Sequence, residues 1–201
     1  GLAYVAGETD SVDFVTTSNA FKKEHGGNLD GFIAKLRTTS SKSDSLVYSS
    51  FFGGSGTDLI RAVAVSASGA VYITGVTNST DFPIQAAVQD QFGGGSSDAF
   101  AAKLNSLGTG LVYSTYLGGT AADSGEAIAV LARAPNRVDE TTPETGIAFV
   151  AGVTESSNFP TTAPLQPQPA GMKDVFVSRI PGGDGSPAAP TVTAGITLSY
   201  P

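Results

Sequence analysis

Leu46-Val-Tyr-Ser-Ser-Phe-Phe-Gly-Gly-Ser55 returns 65 residues later as Leu111-Val-Tyr-Ser-Thr-Tyr-Leu-Gly-Gly-Thr120, and this repetition decides how the chain is read. Six of the ten positions are identical, and the other four exchange like for like. Repetition at a fixed spacing marks a unit that buries its apolar face against its neighbours. The fold therefore follows from the period rather than from any isolated motif.

Working outward, a short β-branched and aromatic run recurs three times, as Ala3-Tyr-Val-Ala-Gly7, Val71-Tyr-Ile-Thr-Gly75 and Ala148-Phe-Val-Ala-Gly152. Each ends on Gly and continues into a threonine (Thr9, Thr77 or Thr154), the pattern of a strand bounded by turn residues. Six residues past each Gly stands Asp13-Phe14, Asp81-Phe82 or Asn158-Phe159. This predicts a turn whose Asx side chain bonds nearby backbone while the ring enters the core. Another strand follows in three copies: Asp30-Gly-Phe-Ile-Ala-Lys-Leu36, Asp98-Ala-Phe-Ala-Ala-Lys-Leu104 and Asp174-Val-Phe-Val-Ser-Arg-Ile180. Alternation places Phe32, Ala34 and Leu36 on one face and Ile33 and Lys35 on the other. A small apolar strand occurs twice, as Arg61-Ala-Val-Ala-Val65 and Glu126-Ala-Ile-Ala-Val130. In the first of these copies the turn Ser66-Ala-Ser-Gly-Ala70 leads back to Val71 and closes the cycle at four strands. No stretch has a convincing 3.6-residue period, so the chain is expected to be all-β, with ten strands.

Composition agrees with that plan. Charged residues are 14% of the chain, against about 25% in an average soluble domain. Twenty-five glycines and eleven prolines are spread along it, as many tight turns between short strands require. A net charge of −7 argues against nucleic acid or an anionic membrane surface as partner, because both reward Lys and Arg. The absence of cysteine removes disulfides, thiolate nucleophiles and Cys-ligated metals together. No apolar run reaches about 18 residues, so no transmembrane segment is expected. The chain opens on Gly1 without an initiator Met or a signal-like segment, and is read as an internal cut.

The linked submotifs resemble the SBBP-type bacterial β-propeller repeat over about residues 1 to 180. That resemblance implies blades of four antiparallel strands, with the small Ala-Val-Ala-Val strand innermost and Leu111-Val-Tyr-Ser-Thr-Tyr-Leu117 outermost. The chain then holds about two and a half blades: a partial blade at 1–52, a full blade at 61–117, and a blade at 126–180 with an insertion at 131–146. Residues 181–190 read as a linker, and 191–201 as a late outer strand or the start of a following domain. Propellers typically close with four to eight blades, so other blades in cis or other protein chains are the expected partners. Members of the family are mostly secreted or surface proteins without assigned catalytic residues. The resemblance thus implies an extracytoplasmic, non-enzymatic scaffold or accessory subunit. A non-catalytic fragment of a carbohydrate-active propeller enzyme, or a glycan-binding module, is the alternative.

Candidate site residues are few. Asp58 and Asp123 stand four residues after their Gly-Gly pairs, where an Asp either caps a turn or contributes to a calcium loop. One carboxylate per loop favours the cap, and no other cofactor is expected. His25, the single histidine, has no repeated partner from which to build a triad or a metal site. Phe92 is a candidate aromatic contact for glycan. The polar, Pro-punctuated insertion, which contains Asn136 and Arg137, is expected to be an exposed loop and a candidate partner contact.

Overall fold

A computed structural model describes residues 1–39, 45–132, 146–161, 164, 166, 169 and 171–181. Asn136, Arg137, most of the insertion, the linker and the late strand lie outside the described residues. The described residues form ten antiparallel strands and no helix. They are β1 (Leu2–Thr9), β2 (Asp30–Arg37), β3 (Leu46–Phe52), β4 (Asp58–Val65), β5 (Val71–Thr77), β6 (Asp98–Leu104), β7 (Leu111–Leu117), β8 (Asp123–Ala132), β9 (Gly146–Thr154) and β10 (Asp174–Pro181). Sheet I is β1-β2-β3, sheet II is β4-β5-β6-β7 and sheet III is β8-β9-β10, each a simple up-and-down run. The outer edges of β3 and β7 are bonded by loop backbone, at Thr17 and Lys22 and at Gln85 and Gln89 respectively.

Every strand lies where the sequence pattern puts one, but the bounds differ: β1, β5 and β9 continue through Gly7, Gly75 and Gly152 to Thr9, Thr77 and Thr154, and β8 and β9 take in both ends of the expected 131–146 insertion, pairing Leu131 with Ile147 and Ala132 with Gly146. β4 and β8 begin at Asp58 and Asp123, three residues before the small apolar runs. The extension is possible because both strands bulge, between Ile60 and Ala62 and between Gly125 and Ala127. The extra residues, Arg61 and Glu126, point into solvent, so the alternation on either side stays in phase with the core. The bulge brings backbone hard against the next strand. A Cβ built on Gly75 would stand 1.8 Å from the Leu59 carbonyl oxygen, and on Gly152 2.1 Å from that of Ser124. Only glycine allows so close an approach. The turn at 66–70 also forms, with the Ser66 amide donating to the Ala70 carbonyl at 3.0 Å and Gly69 in the left-handed region at φ 84°.

Sheet II is the middle layer. Period-2 alternation sends Phe100, Ala102 and Leu104 of β6 toward sheet I, and Ala99 and Ala101 toward sheet III. All of β6 is consequently buried. Against sheet I, Phe52 meets Phe82 edge-on at 5.3 Å, and Phe82 lies 4.7 Å from Phe100. Against sheet III, Tyr72, Tyr113 and Leu117 of sheet II pack with Val150, Phe176 and Ile180, and Phe159 stacks on Phe176 at 4.4 Å. Phe82 and Phe159 thus enter the core as the sequence predicts. Beyond area burial, each aromatic pair adds about 0.5–1.5 kcal/mol. The repeated base has a structural place as well. Lys35 Nζ sits 5.1 Å over the Tyr4 ring and donates to the Ser106 carbonyl of sheet II at 3.3 Å, while Lys103 Nζ sits 5.1 Å over Tyr72.

Candidate functional site

The residues singled out in the sequence converge where the chain passes from one sheet to the next. The first link, residues 53–57, leaves β3 of sheet I and enters β4 of sheet II. It runs without secondary structure past buried groups, so its amides need partners. All are supplied. Gly54 N donates to Asp58 Oδ2 at 2.8 Å, Ser55 N to Asp81 Oδ1 at 2.8 Å, Gly56 N to Ser79 Oγ at 2.8 Å and Thr57 N to Asn78 Oδ1 at 2.7 Å. Asp58 N then donates to the Leu29 carbonyl at 2.8 Å. Ser79 is the hinge of the arrangement, because its hydroxyl also donates to Asp58 Oδ2 at 2.8 Å.

The second link, residues 118–122, repeats the clamp between sheets II and III. Gly119 N donates to Asp123 Oδ2 at 2.7 Å, Thr120 N to Asn158 Oδ1 at 2.9 Å and Ala121 N to Ser156 Oγ at 2.8 Å. Ser156 Oγ donates to Asp123 Oδ2 at 2.8 Å. In two of the three copies, at Asp81 and Asn158, the Asx before the phenylalanine therefore bonds the backbone of a link 26 or 38 residues away rather than the nearby backbone that the sequence predicts.

Asp58 and Asp123 are buried, and each uses Oδ2 to cap its own link and accept from a serine. Burial pushes both carboxyls above the usual range against the pull of their donors, with Asp30 and Glu155 adding to the rise at Asp58 and Asp123 respectively. The strand-start aspartates of the third series work in the same way. Asp98 Oδ2 accepts from Gly93 N at 2.7 Å and Asp30 Oδ2 from Gly26 N at 2.7 Å. Asp98 is raised to about 7, first by burial and then by Asp123. Asp30 has a cation instead: Lys22 Nζ lies 2.9 Å from its Oδ2 and donates to the Gly53 carbonyl at 2.8 Å. The Oδ1 atoms of Asp30, Asp58, Asp98 and Asp123 have no hydrogen-bond partner among the described residues. Exposed Asp81 goes the other way, lowered by the Ser55 amide and hydroxyl that it accepts.

The chemistry of this arrangement is that of a joint. Among the described residues no three His, Cys, Asp or Glu side chains group as metal ligands. His25 is half-buried, its Nε2 3.2 Å from the Thr9 carbonyl and its ring edge-on to Phe51. Phe92 is half-buried too, packed edge-on against Tyr116 at 6.0 Å. Two elements escaped sequence reading. Ser79 and Ser156 belong to a Ser-x-Asx-Phe pattern that occurs in all three copies, the first at Ser11, and that signal was available. Lys22 and Gln89 are equivalents, since each caps a strand-start Asp, but their different side chains concealed the match.

A scan against models of known protein families found no match, and a search of curated proteins found none either. No helix among the described residues is long and apolar enough to cross a membrane.

Proposed function

We propose that the chain is a non-enzymatic structural module of an SBBP-type bacterial β-propeller, in which sheets I, II and III are successive blades. It serves as an extracytoplasmic scaffold or accessory subunit and is completed by further blades in cis or in trans. The observation that carries the reading is the joint: the same link, clamp and aromatic plug recur at both sheet boundaries, in the order of the sequence repeat. A repeated joint stacks layers without limit until a ring closes. Its residues are committed to backbone amides rather than to a substrate. The outer faces support the same reading, because Val5 of sheet I is 42% exposed and Leu131 of sheet III 57%, apolar surface of the kind that the inner joints cover.

Size-exclusion chromatography with light scattering on residues 1–201 alone tests the proposal. The expected result is association or partial unfolding; a compact, stable monomer that resists dilution overturns it.

A further inference from the structure

Sheet I carries parts of a joint that it does not make. In sheets II and III the second strand holds Gly75 or Gly152 because a bulged neighbour presses a carbonyl oxygen against it. The matching residue of β1 is Gly7, which stands opposite Phe32 as Gly75 does opposite Phe100 and Gly152 opposite Phe176. A Cβ on Gly7 would meet only the edge of the Phe32 ring, at 3.1 Å, a contact that a small ring shift relieves. No backbone of sheet I presses on Gly7 as backbone presses on Gly75 and Gly152.

The clamp residues tell the same story independently. Ser11 N donates to Thr9 Oγ1 at 3.1 Å, forming the turn that Ser79 makes with Thr77 and Ser156 with Thr154. Ser11 and Asp13 therefore occupy the places of Ser79 and Asp81. Both are exposed, and among the described residues nothing hydrogen-bonds to either side chain. The edge of β1 away from β2 is likewise unpaired among the described residues, whereas β5 and β9 have strands on both sides.

We propose that β1 is a docking edge for one kind of polypeptide: an extended segment built like residues 53–65 and 118–130 of this chain. Such a segment has a Gly-Gly turn, an Asp four residues later, a bulge, and a run of alternating Ala and Val or Ile. It adds antiparallel to β1, its aspartate opposite Thr9, its bulge over Gly7 and Ala6, and its last valine opposite Ala3, the register that β4 keeps on β5. Ser11 and Asp13 clamp the amides of its Gly-Gly link. Small side chains are required because β4 of sheet II already packs against β1. The inference rests on the repeat reading proposed above, and its test is separate.

The probe is a synthetic peptide of residues 53–66, titrated into the 15N-labelled full chain, with a scrambled peptide of the same composition as control. Expected are saturable binding below about 1 mM and amide shifts concentrated in residues 2–9 and 11–13. Gly7→Ala should weaken binding at least ~10-fold while leaving the circular dichroism and melting of the chain unchanged, and Asp13→Ala should weaken it several-fold. Absence of saturation, equal binding of the scrambled peptide, or undiminished binding to Gly7→Ala overturns the inference. A chain that associates with itself yet ignores the peptide removes this inference and spares the proposed function. A compact monomer that binds the peptide does the reverse.

Discussion

Replacing Ser79 by Ala tests the joint at its hinge. The hydroxyl accepts from Gly56 N and donates to Asp58 Oδ2, both at 2.8 Å, in a residue only 1% exposed. The side chain is small, so the cavity left is minor and the cost is polar. Truncation leaves one buried amide without its acceptor and takes a donor from a carboxylate already short of partners. A lost net hydrogen bond costs about 0.5–1.5 kcal/mol and a stranded buried group about 1–3, so a total of about 1–3 kcal/mol is expected. Ser156→Ala repeats the experiment at the second joint, where Ser156 Oγ bonds Ala121 N and Asp123 Oδ2. The two sites share no partner, so the double variant should lose the sum within about 0.5 kcal/mol. Urea unfolding followed by far-ultraviolet circular dichroism measures all three, with exposed Ser96→Ala as a control expected within about 0.5 kcal/mol of the parent. A Ser79→Ala change no larger than that control would refute the clamp as the element that holds the link.

Three further outcomes follow from the same geometry. Asp98 is raised to about 7 in the folded chain, above its unfolded value, so the fold binds the proton more tightly. Stability should therefore fall as pH rises from about 4 to about 7, by up to about 1.4 kcal/mol per pH unit from this group, and Asp98→Asn should flatten that slope in a pH series of urea midpoints. Gly75→Ala sets a methyl against the Leu59 carbonyl oxygen and should cost at least ~3 kcal/mol or prevent folding, read as lost thermal transition; an unaltered melt would show that the bulge can move aside. Lys22→Met strands Asp30 in the interior and should cost about 2–4 kcal/mol, whereas Lys22→Gln should cost less, because Gln89 does the equivalent task beside Asp98; equal losses in urea unfolding would contradict the equivalence.

The strands were legible because alternation and turn chemistry are local. Alternating Phe100, Ala102 and Leu104 and the Gly69 turn depend on residues a few positions apart. The bulges were not, for Arg61 and Glu126 look like ordinary polar positions until a partner strand sets the register. The partner of Asp81 was also out of reach, since its amide acceptor pairing joins residues 26 apart through a fold in between. In sequence, Gly7, Gly75 and Gly152 look like the punctuation that ends a strand, yet each lies inside one. At Gly75 and Gly152 they are instead places where two backbones touch, which no single-strand pattern records.

Lys22 and Gln89 show how far a repeat can drift while its joint is kept. Both hold the buried carboxylate that opens the third strand of the repeat, Asp30 or Asp98, and both also touch the Gly-Gly pair at the end of the next strand. A lysine has donors only, so at the first pair it takes the Gly53 carbonyl. A glutamine has an acceptor as well, and at the second pair its Oε1 receives the Gly118 amide at 3.1 Å while its Nε2 points to Asp98 Oδ2. The carbonyl and the amide lie on either side of the first glycine, so both caps fit one backbone path, along which Gly54 N and Gly119 N alike donate to Asp58 and Asp123. What the pair cannot accept is a side chain: a Cβ would stand 2.5 Å from Asp58 Oδ2 at Gly53, 2.6 Å from Ser79 Cβ at Gly54, 2.4 Å from Asp98 Cγ at Gly118 and 2.6 Å from Ser156 Cβ at Gly119. The space left by the clamp therefore fixes Gly-Gly, while the cap on the strand-start Asp can change from Lys22 to Gln89.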